Sequence, residues 1–232
     1  MSVDSDQHTA QAATLPAAPR FTAWPLWATA AGLLGLVSTL FMDERPSQDI
    51  NYLMTVKDIP ALDHMPFRVG GLTGYLCVAT LIVFAAIWHR RVAQRWSWSV
   101  GAAVVTYGLL SSAGALMLVY GWKGALGDYL HGAKEYGAYD DQGLYSLYML
   151  HDFGPWIGWF GVLVAAGGLA WMAFRDGIVS KILGGFAGVL CVGVLGAVAI
   201  TGVPGLPAAS MLGLIGGGLW LAFGKSEITQ VV

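Results

Sequence analysis

"VGGLTGYLCVATLIVFAAIW" (69–88) carries no charged residue, and "HRRVAQRW" (89–96) follows it directly. About 20 apolar residues are what an α-helix needs to cross roughly 30 Å of hydrocarbon. The arginines behind the run mark the cytoplasmic side, because Lys and Arg in short loops are retained inside. One helix is thereby both recognised and oriented.

Outward from it, five similar runs complete the chain: Phe21–Met42, then about 98–120, 153–174, 178–201 and 207–223. The expected fold is all-α: a polytopic integral membrane protein with six transmembrane helices arranged as three hairpins. Composition agrees, with 56% hydrophobic and only 11% charged residues, where a soluble domain has about 25% charged. G-x-x-x-G pairs at Gly184/Gly188 and Gly213/Gly217 offer close seating of the last two helices. Pro25 and Pro155 are expected in the first turns of their helices, where a missing N–H costs least.

An N-terminus inside leaves seven Lys and Arg on the inner segments and five on the outer, with ten of the fourteen acids outside. Both termini are then cytoplasmic in a cell (plasma or inner) membrane. Residues 1–20 are polar and lack the basic start of a secretory leader, so they are expected as a disordered cytoplasmic tail. The transmembrane domain covers 21–223, with outer loops 43–68 and 121–152, and a second cytoplasmic tail covers 224–232. A short helix is expected around 48–58, closed by Pro60. With a net charge of −2 and no basic run long enough to suggest it, nucleic acid is not an expected partner. Cys77 and Cys191 stand alone in apolar runs, as inert thiols.

No Asp, Glu, Lys, Arg or His falls in the middle of a predicted span. Ionisable groups at such depth are what transporters keep for coupling, and the facing histidine pairs that hold a membrane haem are missing. Haem is therefore not expected. Thr106, Tyr107, Ser111 and Ser112 form the densest polar cluster within a span, expected to hydrogen-bond between or along helices. No helix interruption of the kind that marks a binding site is visible.

Chemistry, if any, belongs at the outer face. The pairs Asp63-His64 and His151-Asp152 are the candidate catalytic residues, since imidazole and carboxylate together suit general acid/base work. His64, His151 and Asp152 are the candidate metal residues, a donor set fit for a divalent cation. Capping of helices two and four by Asp63 and Asp152 is the weightier reading of the same acids. The segment "DQGLYSLYMLHD" (141–152) places Leu144, Leu147, Tyr148 and His151 on one helical face. It is expected to lie along the membrane and turn inward at Gly154-Pro155.

Three functions follow in order. The first is a non-catalytic accessory or binding protein whose partners are the lipid bilayer, another membrane protein or a lipid-like small molecule. The second is a membrane enzyme acting on an apolar substrate at the outer interface through its His/Asp residues. The third is a small transporter.

Overall fold

The computed structural model describes residues 21–229 except 48, 50, 51 and 225; the tail expected over 1–20 lies outside them, as does part of the one over 224–232. Seven α-helices are found among the described residues, and no strand: α1 Leu26–Leu36, α2 His64–Trp88, α3 Val100–Tyr129, α4 Asp141–Gly158, α5 Phe160–Trp171, α6 Lys181–Thr201 and α7 Ser210–Phe223. A π-helical turn, Val37–Phe41, prolongs α1. Five helical runs are long and apolar enough to cross a membrane: His64–Ala93, Val100–Tyr129, Asp141–Asp176, Lys181–Thr201 and Leu206–Phe223. The first apolar helix, Leu26–Phe41, is shorter than the span expected there. Pro25 is its N-cap, leaving Phe21–Trp24 outside the helix.

The other boundaries move outward, and caps explain where they stop. Asp63 accepts the Met65 N–H at 2.9 Å and starts α2 at His64 rather than near 69. Ser99 accepts from Ala102 to start α3, which continues past 120 to Tyr129. Asp140 accepts the Gly143 N–H at 2.8 Å and starts α4 at Asp141, well before 153. A short polar side chain at that position satisfies an N–H that the first turn leaves free. Helix therefore replaces much of the loops expected at 43–68 and 121–152. Of the helix expected around 48–58, residues 48, 50 and 51 lie outside the described residues; among the others helix begins only at Val56, in a 3-10 turn Val56–Ala61 with Pro60 inside it.

α4 and α5 form one run broken at Trp159. Pro155 lies inside α4 rather than in a first turn, so the His151 carbonyl loses its usual helical donor. The chain does not turn at Gly154-Pro155; it interrupts its helix at Trp159. Hydroxyls from two other helices brace the break: Ser112 of α3 accepts the Val162 N–H at 2.9 Å, and Ser210 of α7 donates at 3.1 Å to the Trp159 carbonyl, which also accepts the Leu163 N–H. Free backbone groups away from water require such partners. Thr106 donates to the carbonyl of Ala102 one turn back, while Tyr107 is exposed.

α3 is the central helix, packed on α2 along one side and on α4 and α5 along the other. α1 lies between α2 and α7. The α3–α5 contact is glycine on glycine. Gly101 faces the carbonyl of Gly168, and Gly108 that of Gly161, each reciprocally. The pairs recur one heptad apart along antiparallel helices, so the backbones touch twice. The G-x-x-x-G pairs at 184/188 and 213/217 act differently. Gly184 faces Ala173, Gly213 makes room for Leu190, and Gly217 has open space around it. α6 packs mainly on α5 and α7 mainly on α1, and the two meet more sparsely, where Leu190 seats on Gly213. Of α6, only Leu183, Gly184 and Ala187 are buried.

The first and last described segments meet. Thr22 donates its N–H to the Ala222 carbonyl at 2.9 Å, and the Phe21 and Phe223 rings are 5.3 Å apart.

Candidate functional site

At the opposite end of α1, the π-helical turn delivers three consecutive residues, Asp43-Glu44-Arg45, onto the neighbouring helix ends. Asp43 Oδ1 meets His151 Nε2 at 2.8 Å. Glu44 Oε2 accepts the Asp63 N–H at 3.0 Å, and its carbonyl accepts the Tyr148 hydroxyl at 3.3 Å. Arg45 Nη2 donates to Asp152 Oδ1 at 2.8 Å. One tripeptide thus clasps both His/Asp pairs singled out in the sequence. π-helical turns are over-represented at functional sites because they re-aim the residues that follow.

The pairs themselves are not merged. His151 and Asp152 are neighbours on α4 but turn to different partners, Asp43 and Arg45. Asp152 caps no helix; Asp140 fills that role for α4, and Asp63 does cap α2. His64 Nδ1 lies 3.5 Å from its own neighbour Asp63. His64, His151 and Asp152 do not form one ligand set: among the described residues no group of three or more His, Cys, Asp or Glu side chains is placed to hold a metal ion.

Behind the clasp is a buried ionisable group from the segment expected as the second outer loop. Lys123 on α3 is fully buried, and its Nζ donates to the Ser38 carbonyl in the π-helical turn. Its alkyl stem fills the space left by Gly70, where a Cβ would stand 2.6 Å from Lys123 Cε. Ser38 in turn donates to the Gly70 carbonyl at 2.6 Å, and Thr39 and Tyr120 share a 3.1 Å hydrogen bond. The helix interior near this end is therefore not free of charge, as the shorter predicted spans implied. A signal for Lys123 was present: Leu116, Tyr120, Lys123, Leu126 and Leu130 continue the buried stripe of α3 at helical spacing.

His151 is 2% exposed. The Phe67 ring stands edge-on to it at 5.4 Å, and Tyr148 flanks it at 6.2 Å. Its hydrogen bond to Asp43 places the proton of a neutral ring on Nε2. Nδ1 is buried without a hydrogen-bond partner among the described residues. Leu144, Tyr148 and His151 share the buried face of α4, and Leu147 packs at its edge, as their spacing predicted.

The two acids of the clasp are shifted in opposite directions. Burial raises Asp43, but the His151 hydrogen bond and the positive charges of His151, Lys123 and Arg45 outweigh it and hold the carboxyl below its ordinary 3.8. Burial raises Glu44 above its ordinary 4.5; the Asp63 N–H opposes this, and the carboxylates of Asp63 and Asp43 add to it. A raised acid contributes stability below its unfolded value and loses it as pH rises through the folded value. Glu44→Gln is therefore expected to raise the Tm slightly at neutral pH, with the gain vanishing as pH falls toward 4.5. Thermal unfolding of both proteins across that range measures it; a gain that persists in acid would contradict the electrostatic cause.

Beside the clasp opens a groove of about 620 Å³ between the end of α1, α4 and the start of α7. Leu40, Phe153, Trp156, Leu206, Met211 and Leu212 give it apolar walls. Its charged lining residues are Arg45 and Asp152, the ion pair at the rim.

Fold and site together define an all-helical chain whose long apolar helices suit a membrane protein, with a polar clasp at one end. No protein-family model matches the chain, and no curated protein or solved structure matches it.

Proposed function

We propose that the chain is a six-span protein of a cell membrane with both termini inside, and that it is a binding protein, not an enzyme. Its outer end takes up a lipid-like amphiphile in the groove beside the Asp43-Glu44-Arg45 clasp. The observation that carries this reading is the groove itself. Its volume is in the range of small-molecule sites, and its walls are apolar with few polar groups at the rim. The meeting of Thr22 with Ala222 supports termini on one side, and Arg90, Arg91 and Arg95 support that side as the inner one.

The enzymatic reading draws on one observation, the buried Asp43–His151 pair. His151 does not line the groove and is nearly inaccessible, so a molecule held there meets Arg45 and Asp152 instead. That favours binding.

The test is the lipid retained by the protein purified in mild detergent, wild type against Ala209→Phe. Ala209 lines the groove from an exposed position, so the larger side chain fills the space without entering the core. Retained lipid is expected to fall several-fold with the Tm unchanged. Equal retention by the two proteins would overturn the reading.

A further inference from the structure

We infer that the groove's occupant is a membrane phospholipid with an amine-bearing head, its phosphate held by Arg45 and its ammonium by Asp152. This rests on the groove being a lipid site and names the lipid. Charge complementarity at the rim selects such a head.

Arg45 and Asp152 are the charged residues lining the groove, and they are paired at 2.8 Å. A head with a single charge would satisfy one of them and be repelled by the other. A head carrying both signs a few bonds apart satisfies both. The guanidinium has five N–H donors in a planar fork suited to phosphate oxygens. Among the described residues its one hydrogen bond is to Asp152. The Arg45 side chain remains 52% exposed, so its other donors can reach a ligand. Asp152 accepts from Arg45 through Oδ1, which leaves Oδ2 for an ammonium.

The surroundings decide against a purely anionic head. Asp43 and Glu44 stand next to Arg45 in the chain, and Glu44 binds the backbone of Asp63. Lys123, buried behind the clasp, is bound to the Ser38 carbonyl, and the exposed Lys57, Arg68 and Lys134 of this end do not line the groove. Acids outnumber accessible cations here, which favours a head that brings its own positive charge. Below the rim, Leu40, Phe153 and Leu212 are each more than 40% exposed along the groove walls. Acyl chains would remove that surface from contact with headgroups and water.

The experiment uses the full chain in detergent and three diacyl lipids with identical tails. One has a phosphoethanolamine head, one a phosphoglycerol head, and one is diacylglycerol with no charged head. Binding is read by native mass spectrometry. Wild type is expected to bind the phosphoethanolamine lipid about tenfold more tightly than the phosphoglycerol lipid, the worth of one charge-assisted hydrogen bond, and diacylglycerol more weakly than either. Asp152→Asn should erase the advantage over phosphoglycerol, and Arg45→Gln should bring both phospholipids down to diacylglycerol. Equal binding of the three lipids by wild type, with all of it lost in Ala209→Phe, would overturn the head assignment and leave the groove standing. Binding unaffected by Ala209→Phe would overturn both.

Discussion

Alanine at Gly161 is expected to lower the unfolding free energy by about 3 kcal/mol, the upper end of what overpacking costs. The added methyl would collide with the Gly108 carbonyl and stand 2.7 Å from the Ser112 N and 2.8 Å from its Oγ. Two of these are backbone atoms on α3, so no rotamer change relieves the clash and the helices must separate. Separation would also break the bond from Val162 N–H to Ser112 Oγ, reopening the break at Trp159. Gly108→Ala meets the Gly161 carbonyl and should cost a similar amount. Both substitutions act through the same displacement, so the double variant should fall short of additivity. Gly196→Ala is the control: a Cβ there meets nothing within 4 Å, and the change should stay within about 0.5 kcal/mol. Reversible unfolding in mixed micelles measures all four. A Gly161→Ala protein as stable as the Gly196→Ala control would show that the α3–α5 backbones are not held at contact.

The apolar helices were legible in the sequence because uncharged runs of that length have few other uses. Their ends were not. A hydropathy reading stops where charge begins, whereas the helices stop where a cap or a proline stops them. Lys123 therefore looked like a loop residue, although it lies on a buried helical face. The close glycine contact was missed for a related reason. It uses Gly101 and Gly108 against Gly161 and Gly168, spaced by heptads on separate helices, and not the familiar four-residue pairs. The polar residues of the outer end were visible as a collection, and His151 and Asp152 were singled out. Their partners depend on how the π-helical turn aims Asp43, Glu44 and Arg45, which no spacing within either pair encodes.

Asp43→Ala is the second large effect, expected to cost about 3 kcal/mol at neutral pH. The carboxylate is the hydrogen-bond partner of His151, a side chain 2% exposed, and its removal leaves both ring nitrogens buried and unpaired. Lys123, buried on the neighbouring helix, also loses the negative charge of Asp43. The loss should depend on pH in a defined direction. A carboxyl held below 3.8 contributes stability above that value, and the contribution disappears as pH falls through the lower folded-state value. Wild type and Asp43→Ala should therefore converge in acid and diverge toward neutrality. Asp43→Asn separates hydrogen bonding from charge: its amide oxygen can still accept from His151 Nε2, so it should recover part of the loss while abolishing the pH dependence. Unfolding of the three proteins from acid to neutral pH distinguishes these contributions. A constant gap between wild type and Asp43→Ala at every pH would mean that packing, and not the carboxylate's charge, holds the clasp. Asp43 is also two residues from Arg45. If it anchors the clasp, its loss should weaken the groove's preference among lipid heads, even though its own side chain does not line the groove.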